Sequence, residues 1–162
     1  LFKPLFEDKS KSWFIHNAIF DLAMLKKENL FIKGKVYCTM TLERVIRNNR
    51  MQYGLDALAK VYEKIIPGMT LKLGDEVKEY ITKNRCFTKH KIEGKDTLVK
   101  KMHYDFVPLD LMARYGHRDA EICFKLGVFQ RDLIRTQSLT KIGSSECMLT
   151  PVVLEMYTRG IT

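Results

Sequence analysis

A chain of 162 residues that is 46% hydrophobic has the length of one domain and enough apolar material for a core, which excludes wholesale disorder. Its 28 Lys and Arg against 19 Asp and Glu leave a formal charge of +9, which suits a polyanionic partner, nucleic acid or an acidic membrane surface. No apolar run approaches 18 residues and no signal peptide is expected; Cys38, Cys86, Cys123 and Cys147 form no Cys-x-x-Cys pair, so reduced thiols are expected rather than a zinc site or a disulfide framework.

Residues 1–6 read as the tail of a helix and 7–11 as a charged loop. Ser12-Trp13-Phe14-Ile15 is a short apolar run of strand type. Asn17 is placed to cap the helix that follows, because its side chain can accept a bond from an orphan N–H; Ala18, Phe20, Leu22, Ala23, Met24 and Leu25 carry that helix to Lys26 and Lys27. A second strand is expected over 31–37. Leu42, Val45 and Ile46 then follow at helical spacing up to the Asn48-Asn49 turn, and Leu55, Leu58, Ala59 and Tyr62 share one face of another helix, broken at Pro67-Gly68. Residues 69–105 are the least regular stretch. Between 83 and 101 they hold seven Lys or Arg against Glu93 and Asp96, with Glu93-Gly94-Lys95-Asp96 as a turn between two ragged strands. This is expected as a solvated insertion, the alternative being a basic finger resting on DNA phosphate. Pro108 opens a long helix over 109–135, 137–150 reads as a polar linker, and Pro151 starts a last helix. Both ends read as interrupted, so a piece of something longer is expected. Strand, helix, strand and helices in this order indicate an α/β domain.

Asp21 lies one turn into the helix after the first strand, and Asn17, four residues earlier, shares its face at the strand's carboxyl end, where ligand sites in α/β sheets gather. Asp119 lies mid-helix, four residues after Tyr115, so these two also share a face; a carboxylate amid Ala120, Ile122 and Cys123 needs a cation, donors or water. Each residue has an ordinary reading: Asn17 as a cap, Asp21 as a first-turn complement to the helix dipole, Asp119 as a surface acid, Tyr115 as a core aromatic.

Taken together they follow a known order. Phe14-Ile15-His16-Asn17-Ala18-Ile19-Phe20-Asp21 resembles the second motif of DnaQ-like exonucleases, and Tyr115-Gly116-His117-Arg118-Asp119-Ala120 resembles the third. Tyr53-Gly54-Leu55-Asp56-Ala57-Leu58-Ala59 looks like the Leu-x-x-Leu-Ala helix of that superfamily, and Cys38-Thr39-Met40 stands where members often have Asp-Thr-Met, a departure expected to have no catalytic effect. With Tyr at 115 and Arg at 114, the chain resembles the branch that uses Tyr four residues before the last Asp, which includes polymerase proofreading domains and RNase D-like enzymes. The helix from Pro151 to Gly160-Ile161 is similar to the one joining exonuclease to polymerase in family A DNA polymerases, and Phe106-Val107-Pro108 is similar to phage versions.

The resemblance implies a ribonuclease H-like (DnaQ-like exonuclease) α/β fold, helix-rich, with a reduced mixed sheet. It implies an exonuclease domain over 1–136, a linker over 137–150 and the start of a connecting helix over 151–162. It implies hydrolysis of DNA phosphodiester bonds from the 3′ end by two divalent ions, Mg²⁺ or Mn²⁺, about 4 Å apart. Asp119 would hold the ion that activates water, Asp21 the second ion through waters, and Tyr115 would orient the attacking water. Asn17 would position the substrate or Asp21. Phe20 is expected to pack beneath the site, with contact to DNA as the alternative. The implied partners are a single-stranded DNA 3′ end and the rest of a polymerase polypeptide, in a monomer free of membrane, in the cytoplasm of a bacterial or phage-infected cell. The family also carries an Asp-x-Glu motif on an earlier strand; Glu7 and Asp8 are adjacent and lie in no apolar strand, so that motif is expected to be absent here and this fragment to be inactive or weak. A catalytically dead DNA-binding domain and a stand-alone RNase D-like exoribonuclease remain the alternatives.

Overall fold

A computed structural model describes residues 2–69, 72–91 and 98–160. The chain divides into two compact units, one formed by Leu1–Met69 with Ile122–Thr162 and the other by Thr70–Glu121.

The first unit opens with α1 (Lys3–Glu7), a short helix with Pro4 in its first turn, where the missing N–H costs nothing. The apolar run then forms β1 (Ser12–Ile15), followed by α2 (Ala18–Lys27) and β2 (Lys35–Cys38). β2 pairs with β1 in parallel, with Trp13 opposite Val36 and Ile15 opposite Cys38. The second strand is shorter than the expected 31–37. Lys33 N–H instead donates to Phe6 O at 2.9 Å, and a Cβ at Gly34 would overlap the Lys11 carbonyl oxygen, so 31–34 run against the chain before β1 rather than along β1 itself. Next come α3 (Thr39–Ile46) and α4 (Leu55–Tyr62). The 28-residue helix α6 (Leu109–Thr136) contributes its later part to this unit.

Residues 137–150, expected as a polar linker, hold α7 (Thr140–Met148). Its Gly143 and Cys147 are buried, and Cys147 packs with Leu42 and Ile134. Two small residues let this otherwise polar segment sit against the core, which its composition hides. α8 (Thr150–Arg159) follows with Pro151 in its first turn and ends at Gly160, whose φ of 78° is a conformation that side chains disfavour. α8 lies along α2, where Lys26 Nζ meets Glu155 Oε1 at 2.6 Å and Thr158 Oγ1 at 3.2 Å.

Close packing of α6 on β1 depends on Gly127, because a Cβ there would overlap the Phe14 ring. That ring is also set against Tyr37 and, edge-on, against Phe124 at 6.0 Å. In an exposed helix Gly→Ala gains about 1 kcal/mol. Gly127→Ala is expected to lose about 1–3 kcal/mol instead, because the core must open to admit the methyl. Urea unfolding reads the sign directly.

The second unit contains α5 (Lys72–Lys83), β3 (Phe87–Lys91), β4 (Leu98–Met102), a 3₁₀ turn (Tyr104–Phe106) and the start of α6. α5 corrects the reading of 69–105 as irregular. Val77, Tyr80 and Ile81 stand at helical spacing, but the charges around them mask the stripe; Val77 and Ile81 are buried with Val107 and Leu111. Burial of two such side chains is worth about 3–6 kcal/mol at 1.5–3 kcal/mol each. β3 and β4 pair antiparallel as the two expected ragged strands, while the turn over 93–96 lies outside the described residues. Among the described residues, the expected reduced mixed sheet is two separate two-stranded sheets, one parallel and one antiparallel. Among the described residues no helix is long and apolar enough to cross a membrane.

Candidate functional site

The expected site residues fall into two groups, one in each unit. In the first unit, β1 ends at Ile15 and the chain turns through His16 and Asn17 into α2. Asn17 adopts a left-handed conformation (φ 56°, ψ 51°), which a short polar side chain tolerates better than a bulky one. The expected cap is corrected here: Asn17 occupies the N-cap position, but its side chain makes no capping bond. Its carbonyl accepts from Phe20 N–H at 2.9 Å, and the Ala18 N–H donates to Cys38 Sγ at 3.5 Å. Cys38, which replaces an acid of the resembling motif, thus holds the start of α2 from the end of β2, and the Asn17 amide remains exposed at the carboxyl end of β1.

Asp21 projects from the first turn of α2 at an exposed position, and partial burial of its carboxyl group raises its pKa above the ordinary value. Phe20 is 52% exposed, so it does not pack beneath the turn as expected and stands open beside Asp21.

In the second unit, Tyr115 and Asp119 lie one turn apart on the first part of α6. Tyr115 packs its ring against the cluster of Val77, Ile81, Val107 and Leu111. The Oδ1 of Asp119 is enclosed. Next to it, Arg118 Nη1 donates to Glu121 Oε2 at 2.6 Å.

A buried polar network behind the Asn17 turn was not read from the sequence. Glu43 is fully buried (0% exposed) in α3. Its carboxylate accepts from Arg50 Nε at 2.5 Å, from the Tyr62 hydroxyl at 3.0 and 3.1 Å, and from Gln130 Nε2 at 2.8 Å. Gln130 Nε2 also donates to Thr39 O at 3.1 Å, and the Thr39 hydroxyl is hydrogen-bonded to His16 Nδ1 at 2.8 Å. Burial lowers the His16 pKa, so the ring is neutral at pH 7, and burial followed by the Glu43 charge raises that of Tyr62, which stays a donor. The Cys123 thiol, pushed up to about 11 by burial, stays protonated and donates to Phe14 O at 3.6 Å. A continuous chain of bonds therefore runs from Arg50 to His16, the residue beside Asn17. The one sequence signal for it was Glu43 on the apolar face of α3, a position where a charge must have partners.

Mg²⁺ and Mn²⁺ take carboxylate oxygens and keep several waters, so Asp21 and Asp119 fit them in donor type. Among the described residues, no three His, Cys, Asp or Glu side chains cluster to hold an ion on their own.

Residues 1–131 match a family described as 3′-5′ exonuclease. The chain is 30% identical over 155 residues to a protein named DNA polymerase DpoZ of Acinetobacter phage SH-Ab 15497, covering 94% of this chain and 23% of that protein. It is also 30% identical over 149 residues to DNA polymerase DpoZ of Salmonella phage PMBT28, covering 90% and 22%. The chain thus spans less than a quarter of the length of these relatives. No solved structure matches.

Proposed function

Because the chain belongs to the 3′-5′ exonuclease family, we propose that it removes nucleotides from the 3′ end of DNA as the proofreading domain of a phage-type family A DNA polymerase, on a ribonuclease H-like fold. The observation that carries this reading is the turn after β1. It presents the Asn17 amide, the open Phe20 ring and the Asp21 carboxylate together at the carboxyl end of a parallel strand, in the order of the family motif.

Asp21 and Asp119 would ligate divalent ions. Such ions, when bound, supply a water of lowered pKa and offset the charge of the phosphoryl group. Asn17 and Phe20 bind the terminal nucleotide, one through its amide and the other by stacking on a base. The Tyr115 hydroxyl orients the attacking water, and the packing of its ring keeps that hydroxyl at a defined place. α8, which ends at Gly160, would be the segment that leads towards the polymerase domain.

The test is digestion of a 5′-labelled single-stranded DNA by the full polypeptide that carries this sequence, with Mg²⁺ or Mn²⁺ and then with EDTA. Stepwise shortening from the 3′ end, abolished by EDTA, is the expected result. Binding of DNA without shortening in a folded sample would replace this reading with that of a catalytically dead domain. Shortening of RNA in preference to DNA would favour the RNase D-like alternative.

A further inference from the structure

The β3–β4 hairpin carries charge in an arrangement that its own stability does not explain. Lys89 lies directly opposite Lys100 in the antiparallel register, and like charges at paired positions destabilise a hairpin. Phe87, Lys89 and Lys91 alternate onto one face, and cross-strand partners share a face, so Lys100 joins them there. Neither strand contains an Asp or Glu to offset these charges. Residues 88–91 and 99–102 are exposed, and among the described side chains of the two strands Phe87 alone packs against the core of its unit. Burial of an apolar face therefore does not compensate for the repulsion. Lys100 is steered by the Phe87 ring, with its Nζ 4.7 Å from the ring centroid, which orients one of the three charges on that face.

We infer that this lysine face of the β3–β4 hairpin is a contact surface for the phosphodiester backbone of DNA. Side chains two residues apart on a strand stand about 7 Å apart, so Lys89 and Lys91 meet separate phosphates. Lysine acts on phosphate as a point charge, so the contact is indifferent to sequence. The choice of DNA over other polyanions rests on the proposed function. The like-charge pair is then a local cost retained for binding, relieved when phosphate lies across it.

The test measures binding of the protein to a labelled single strand and to a labelled duplex, in EDTA so that no hydrolysis occurs, over a range of salt concentrations. It compares the wild type with Lys89→Gln/Lys91→Gln/Lys100→Gln, and with a control lacking three other exposed lysines, Lys9→Gln/Lys60→Gln/Lys64→Gln. The hairpin variant is expected to bind about tenfold or more weakly, with the slope of log K against log salt reduced by about two on a single strand or nearly three on a duplex. Whichever substrate shows the loss identifies the strand state that rests on the hairpin. The thermal midpoint is expected to be unchanged or raised, because the variant removes the like-charge pair. An unchanged slope and affinity, or an equal loss in the control, would overturn the inference. Hairpin-dependent binding in a protein without exonuclease activity would uphold it while removing the proposed function; intact digestion with an unchanged salt slope would do the reverse.

Discussion

Arg50→Met is expected to destabilise the chain by about 3–5 kcal/mol, the usual consequence of removing one partner from a buried ion pair. For a protein of this size that corresponds to a fall of roughly 10 °C in thermal midpoint. Arg50 touches Glu43 at 2.5 Å and lies with its guanidinium over the Tyr62 ring, 5.5 Å from the centroid. Without it, the Glu43 carboxylate stays fully enclosed and keeps only neutral donors, Tyr62 and Gln130. Desolvation of that charge then has no cation to offset it. The double variant Arg50→Met with Glu43→Gln separates this cause from lost packing, since it removes the charge together with its cation. It is expected to be clearly more stable than Arg50→Met alone. If the two variants unfold at the same denaturant concentration, the ion pair is not what holds α3 to α4 and α6.

Asp21→Ala and Asp119→Ala are each expected to cut the exonuclease rate of the full polypeptide by about 10³-fold. A lost metal contact removes several kcal/mol of transition-state stabilisation, and about 4 kcal/mol corresponds to that factor. Asp21 is exposed in a helix first turn, so its replacement leaves the fold within about 0.5 kcal/mol of the wild type. A large loss of rate at unchanged stability therefore reports on chemistry alone. Tyr115→Phe keeps the ring against Val77, Ile81, Val107 and Leu111 and removes only the hydroxyl, so a smaller loss is expected. A wild-type rate in Asp21→Ala, from single-turnover digestion in Mg²⁺, would remove Asp21 from any ligand role.

Short apolar runs with clear breaks were legible. β1 and α2 begin and end where the sequence implied, because Ser12–Ile15 is a compact apolar run and Lys26-Lys27 closes the following helix. α6 was legible because its apolar residues recur at helical spacing after Pro108, and α8 because Pro151 marks its first turn. α5 and α7 were not, since in each a few apolar or small residues that decide burial are diluted by polar neighbours. In the candidate site, the residue order Asn17, Phe20, Asp21, Tyr115, Asp119 was readable and led to the family that residues 1–131 match.

By itself, the sequence determined which residues pair on a helix face, Tyr115 with Asp119, and so nominated the candidates, because spacing along a helix places side chains on a common face whatever surrounds them. Tertiary structure decided how the Asn17 turn is held. The Ala18 N–H turns to Cys38, on the neighbouring strand, and His16 bonds to Thr39. Thr39 in turn reaches Glu43 and Arg50 through Gln130, 91 positions further along the chain. Hydrogen bonds between residues so far apart in sequence leave no periodic trace in it. They exist only once the parallel pairing of β1 with β2 and the packing of α6 have brought these side chains out of water, where each must find its partner.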